Sequence, residues 1–356
     1  MKKIKICFFA DGESVHTQRW LREMAARGFE VILITRRPKK QSEYNTHVVE
    51  PGLRRTGWLF GALKIRRIVR KISPDIVHGH YITSYGMWAA ISGVKPLVLT
   101  AWGSDILVSP KQNRLIRWLT GWMLRRADLI TADSVDTLEE ILGYSPQARL
   151  EQVQWGVDLN RIRNSASLSK IDVLNVVSLR NWTTNYNINL IFEAYADLRK
   201  AIPNYSAHLH LLGEGDQESS LKALAKSLGI ESEVTFYGKV SEDRLLDVLS
   251  LADISVSVPS NDATAMSLLE SMASGLPVVV SDLKANRQWI DETGGRIVPV
   301  DNKDAIAAAL IELAQDAVLR GRMGMRNRAE IEKRASRHAE MDRMARLYMS
   351  LITDRN

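Results

Sequence analysis

The stretch SNDATAMSLLESMASGLPVVVSD, residues 260–282, sets Asp262 and Glu270 eight residues apart, with small residues and a helical pattern between them. A carboxylate accepts two hydrogen bonds and can hold a vicinal diol, and small residues ahead of a helix let backbone amides and the helix dipole meet an anion. For an isolated pair the plainer reading is favoured: Asp262 caps the helix and Glu270 is a solvated helical acid. Other candidates follow directly on apolar runs: Gly12, His80, Trp102, Arg180, Gly213, Gly215 and Gly238. No His-x3-His, Cys cluster or DxD triplet offers metal-ligand spacing, and FADGESVH after the first apolar run lacks the G-x-G-x-x-G of a dinucleotide site.

The elements that must position these residues are legible as alternating patterns. IKICFFA (4–10), EVILIT (30–35), DIVHGH (75–80), PLVLTAW (96–102) and ADLITAD (127–133) read as buried strands. Helices are predicted between and after them over 16–28, 54–72, 112–126 and 135–143. A second series, LNVVSL (174–179), AHLHLLG (207–213), EVTFYG (233–238), DISVSV (253–258), the apolar strand that follows Gly-Leu-Pro in the opening stretch, and GRIVPV (295–300), is interleaved with helices over 188–201, 217–228 and 242–251 and with the helix of the opening stretch. The pattern predicts an α/β chain with two doubly wound parallel sheets, whose ligand groups sit beyond the carboxyl ends of the strands. Domains are expected over 1–165 and 166–330, with a polar linker at 160–172. A single helix over 326–352 is expected to dock residues 331–356 across both.

The chain has 356 residues and a net charge of +7. Residues 1–165 carry 26 Lys and Arg against 15 Asp and Glu, the remainder 22 against 26, so a basic half is joined to a mildly acidic one. Basic halves meet nucleic acid, anionic lipid or phosphorylated substrates. No aromatic-interleaved basic strand or recognition helix supports nucleic acid. The lone Cys7 in an apolar run suits a reducing compartment, and neither a signal peptide nor a membrane span is apparent, so a cytoplasmic location is expected.

In their order and spacing, DIVHGH (75–80), GSDIL (103–107), WGVDLNRI (155–162), SLR (178–180), LLGEG (211–215), VTFYGKV (234–240) and DATAMSLLESMASGLPVVVSD (262–282) resemble the glycosyltransferase family 4 enzymes over nearly the full length. The resemblance implies the GT-B fold: two Rossmann-like domains facing across a cleft, the first binding acceptor and the second a nucleotide-sugar donor. It implies Asp262 near the donor sugar and Glu270 near the ribose, with amides of Ala263, Thr264, Ala265, Met266 and Ser267 and the charge of Arg180 on the diphosphate. Tyr186 and Asn187 are expected to add hydrogen bonds. Gly12, Gly213, Gly215, Phe236, Gly238, Lys239 and Val240 complete the expected donor site, with Lys239 a second cation.

Three departures from the family pattern stand out. Asp262 is one methylene shorter than the usual Glu, Asn185 and Tyr186 stand where a Lys is expected, and Trp102 replaces a His. Indole cannot shuttle a proton, so acid/base help is assigned to His16, His80 or Asp105. His80 is expected to face the site, and His78 the opposite face of the strand as a core histidine.

The function so implied is retaining, metal-independent transfer of a hexose or N-acetylhexosamine, UDP-linked by preference and without a cofactor. The acceptor is a glycan or lipid-linked molecule in cell-surface polysaccharide synthesis. Arg66, Arg67, Arg70 and Lys71, with Arg114, Arg117, Arg125 and Arg126, read equally as a solvated helical face or a patch for an anionic membrane. The implied acceptors favour peripheral association at the inner face of the membrane. Two alternatives remain: a catalytically weak scaffold subunit, and a nucleotide-sugar 2-epimerase on the same fold.

Overall fold

The computed structural model describes residues 3–49, 57–162 and 173–353, and the side chains of 57–60 lie outside that description, so the Trp58 end of the basic helix and most of the expected linker fall beyond it. The chain divides into two compact units, Met1–Trp155 with His338–Asn356, and Gly156–Arg337.

The first unit is built on seven parallel strands: β1 (Lys5–Phe9), β2 (Glu30–Thr35), β3 (Asn45–Val48), β4 (Ile76–His80), β5 (Leu97–Thr100), β6 (Leu129–Ala132) and β7 (Arg149–Gln152), in the order β3-β2-β1-β4-β5-β6-β7. Burial on both faces explains why the central strands read as unbroken apolar runs. Along β1, Cys7 and Phe9 enter one core, with Ile65 and Val69 of the helix Gly57–Ile72 and Met123 of the helix Arg114–Leu124. Ile6 and Phe8 enter the other, with Trp20, Leu21 and Met24 of the helix Val15–Ala26 and Met341, Met344, Leu347 and Tyr348 of the helix Arg337–Thr353.

The second unit carries six parallel strands: β8 (Val173–Ser178), β9 (Ser206–Leu212), β10 (Val234–Gly238), β11 (Ile254–Ser257), β12 (Val278–Ser281) and β13 (Gly295–Val298), in the order β10-β9-β8-β11-β12-β13. The helices Ile188–Ala201 and Lys303–Gln315 cover one face, through Ile191, Phe192, Ile306 and Leu310.

The single C-terminal helix expected over 326–352 is in fact two, Ala317–Arg334 and Arg337–Thr353. The break has a cause: Val157 N–H donates to Ala335 O at 2.8 Å and Arg337 N–H to Val157 O at 2.9 Å, drawing the intervening residues into a bridge with Val157. The helix after the break is thereby assigned to the first unit, and the one before it to the second.

Candidate active site

In the second sheet the strand order reverses between β8 and β11. Segments leaving the carboxyl ends of such a pair form the usual ligand site of an open α/β sheet. The first segment delivers Arg180. The second runs from Val258 to Ala265 and closes into the helix Met266–Ala273. Arg180 is only 7 % exposed, unusual for a charged side chain. Its Nη2 donates to Asp262 Oδ2 at 2.5 Å and its Nη1 to Ser267 Oγ at 2.9 Å, while the guanidinium carbon lies 4.3 Å from the centroid of the Tyr186 ring. Asp262 Oδ1 accepts from Ala263 N–H at 3.0 Å.

The loop bearing Asp262 is pinned by the turn that follows Arg180. Asn185 Nδ2 donates to Asn261 O at 3.0 Å, and Asn185 O accepts from Ser260 N–H at 2.8 Å. Asn187, in the left-handed region with φ 51°, donates from Nδ2 to Val258 O, Ser260 Oγ and Asp301 Oδ1 at 2.9, 2.9 and 3.1 Å. Asn185 therefore brings no charge where the family pattern has Lys; it ties the acidic loop to the Arg180 segment. On the far side, Gln288 Nε2 donates to Thr264 Oγ1 at 2.7 Å.

The plain reading of the two acids does not survive. The helix is capped at Ala265 with no side-chain acceptor, so Asp262 is not its cap, and Glu270, at 9 % exposed, is not a solvated acid. Ala263 and Ala265 are buried, and the amides of the first helical turn present the positive end of the dipole. The arrangement holds one buried guanidinium, two carboxylates and an uncapped helix start within one loop system, the parts needed to hold an anion beside hydroxyl groups.

Glycines let the β9 exit press against this segment. A Cβ on Gly213 would lie 2.4 Å from Arg180 O, and one on Gly215 2.1 Å from Trp182 O. Gly238 closes β10 at φ 68°, and Gly213 N–H donates to Gly238 O at 3.1 Å. Phe236 packs edge-on against Trp182 and Phe192. Val240 joins the small core of Val177 and Leu212, and the exposed Lys239 pairs with Glu214 at 3.5 Å.

The first unit has its own reversal, between β1 and β4. Gly12 sits where a Cβ would meet Arg37 O at 2.7 Å. His80, at the end of β4, is fully buried, and neither ring nitrogen has a hydrogen-bond partner. Burial pushes its pKa down to about 3, so the imidazole is neutral. His78 does not lie on the opposite face: residues two apart on a strand share a face, and the two rings are 4.5 Å apart. His78 is held at 2.6 Å by both Tyr348 Oη and Thr100 Oγ1.

Around His80 stand Trp20 at 5.1 Å, Trp102 at 5.9 Å and Trp155 at 6.0 Å between ring centroids, and His16 meets Trp155 at 5.2 Å. Trp102, Trp155 and His16 are half-buried, so the cluster has an accessible rim. Asp105 is fully buried, and its carboxylate accepts from Trp102 N–H at 2.9 Å and Ile82 N–H at 2.6 Å. Desolvation pushes its pKa up to about 6. That geometry sets the Trp102 loop and leaves Asp105 no route to a reacting atom within this unit. Sequence reasoning missed that Trp20, Trp155 (the first residue of WGVDLNRI) and Tyr348 of the C-terminal helix meet in this cluster, because they come from distant segments, and it missed Asp301, which anchors Asn187.

Residues 5–134 match the family described as Glycosyl transferase 4-like, and residues 163–330 the family described as Glycosyl transferases group 1. Among characterised relatives, N-acetyl-alpha-D-glucosaminyl L-malate synthase of Bacillus anthracis is 23% identical over 82% of this chain and 79% of its own. The lipopolysaccharide core biosynthesis glycosyltransferase LpsE of Rhizobium meliloti is 26% identical over 86% and 90%. Among solved structures, Anabaena HepE in complex with UDP superposes with a TM-score of 0.82 at 15% identity, covering 98% of this chain and 100% of that one. At such identity the likeness establishes the fold, which is GT-B.

Proposed function

This chain belongs to the glycosyl transferases group 1 family, and we propose that it moves a hexose or N-acetylhexosamine from a nucleotide sugar to a glycan or lipid-linked acceptor with retention of configuration. The observation that carries the donor assignment is the buried guanidinium of Arg180 at the strand reversal, flanked by Asp262, Ser267 and the uncapped start of the helix that bears Glu270. Arg180 and the first-turn amides hold the diphosphate and stabilise it as it leaves. Glu270 accepts from the ribose hydroxyls and Asp262 from the sugar. UDP is the favoured nucleotide, supported by the complex of HepE with UDP.

With Trp102 in place of His and His80 neutral and buried, neither of these two positions is placed to deliver a proton. A front-face displacement fits this site, because the departing diphosphate itself takes the proton of the incoming hydroxyl. The scheme uses no metal ion. The first unit is assigned the acceptor, with the half-buried Trp102 and Trp155, packed edge to face on each other, as the aromatic residues at the rim of its cluster.

Peripheral attachment to an anionic membrane is part of the proposal. The helices Gly57–Ile72 and Arg114–Leu124 contain no acid, and both pack on the same core. They expose Leu63 at 63%, Leu115 at 61% and Trp118 at 61%, among Lys64, Arg66, Arg67, Arg70, Arg114 and Arg117. Cations attract the leaflet, and indole and leucine enter its interface. Among the described residues no helix is long and apolar enough to cross a membrane.

The test is the melting temperature against UDP, GDP, ADP and CMP and their sugar conjugates. A ligand at about 100 times its Kd adds roughly 2.7 kcal/mol, a shift of several degrees in a cooperative transition. A shift for one nucleotide series names the donor; no shift for any contradicts the proposal and favours the scaffold reading.

A further inference from the structure

Resting on the donor-site reading above, we propose that Asp262 is a displaceable internal ligand of the phosphate site. It neutralises Arg180 before the donor binds, gives way to the donor's diphosphate, and only then becomes free to accept from the sugar hydroxyls.

Two of the donors assigned to the diphosphate are already taken by one carboxylate. Asp262 Oδ2 holds Arg180 Nη2 at 2.5 Å and Oδ1 holds Ala263 N–H at 3.0 Å. A guanidinium this buried is costly without an anion, and Asp262 supplies one from the chain itself. The two partners differ in freedom: the Arg180 side chain is 8% exposed and that of Asp262 22%. Arg180 also keeps Ser267 Oγ and the Tyr186 ring when the carboxylate leaves. Asp262 is therefore the member that moves. A diphosphate brings more charge and more acceptor oxygens than a carboxylate and suits the guanidinium fork. Exchange couples two events, because the carboxylate reaches the sugar only after phosphate has taken its place on Arg180.

The experiment is calorimetric titration of wild type and Asp262→Asn with UDP, with inorganic pyrophosphate, and with the UDP-sugar that gives the largest melting shift. The variant removes the competing charge but keeps the side-chain shape. The proposal predicts that UDP and pyrophosphate bind about tenfold more tightly to the variant, the scale of one charge-assisted hydrogen bond. It also predicts that the extra affinity of the UDP-sugar over UDP is lost and that kcat falls. Equal or weaker binding of UDP and pyrophosphate by the variant overturns it. Should Asp262→Asn not fold, the UDP-bound structure of the wild type decides: the Arg180–Asp262 contact must be broken, and an intact contact overturns the proposal. A wild type that binds neither pyrophosphate nor any nucleotide removes the donor-site reading and this proposal together. Wild-type binding with an unimproved variant removes this proposal alone.

Discussion

The guanidinium of Arg180 lies over the ring of Tyr186, 4.3 Å from its centroid. Tyr186 occupies part of the stretch where the family pattern supplies a second cation, and here it serves the first one by fixing its plane. Loss of such a contact is worth about 0.5–2 kcal/mol. Tyr186→Ala is expected to weaken UDP binding about two- to thirtyfold, and Tyr186→Phe to leave it near wild type. Calorimetry on the two variants checks this, with circular dichroism confirming the fold.

Gly213 reports on the same segment from the other side. Its Cβ would lie 2.4 Å from Arg180 O, backbone that cannot turn aside as a flexible side chain would. Gly213→Ala is expected to cost about 1–3 kcal/mol of stability through overpacking and to displace Arg180. Denaturant titration should therefore show a lowered midpoint, and residual folded protein should bind UDP poorly.

The order of strands and helices was legible because each buried strand is an apolar run of four to seven residues between turn signals. Two strands escaped, β3 (NTHV) and β7 (RLEQ), edge strands whose mixed, half-exposed sequences carry no such run. Within the candidate site, Arg180, Asp262 and Glu270 were legible through motif spacing. The contact between Arg180 and Asp262 was not, since 82 residues separate them. The Trp20, Trp155 and Tyr348 rings around His78 and His80 come from three distant segments, and only folding assembles them.

That cluster makes stability depend on pH. His80 has its pKa pushed from 6.5 to about 3 and His78 is held well below its ordinary value, both chiefly by burial. The unfolded chain binds their protons below about pH 6.5 while the folded chain does not, so stability falls as pH drops through that range toward about 3. Asp105, raised from 3.8 to about 6, acts oppositely, losing stability as pH rises from about 4 to 6. Two histidines outweigh one acid, each contributing a slope of up to about 1.4 kcal/mol per pH unit. Urea midpoints measured from pH 7 to pH 5 should fall, and His80→Phe, a ring among rings, should flatten the fall.

The acid-free helical face gives a prediction about lipid. Wild type is expected to sediment with phosphatidylglycerol vesicles at low salt and not with phosphatidylcholine vesicles. Trp118→Glu should reduce the bound fraction several-fold, because it removes an interfacial anchor and adds a like charge to the lipid. UDP binding, which belongs to the other unit, should be unchanged. Equal sedimentation of wild type and variant would count against the membrane assignment.

The central claim is that the strand reversal of the second sheet binds a nucleoside diphosphate through Arg180 and Glu270. Its most direct test is calorimetric titration of UDP, with GDP and ADP alongside, into wild type, Arg180→Ala and Glu270→Ala, each confirmed folded. Hydrogen bonds to charged groups are worth about 1.5–3 kcal/mol, so each variant should lose roughly ten- to a hundredfold in affinity for the nucleotide that the wild type binds. Nucleotide binding that is unchanged in both folded variants would contradict the account.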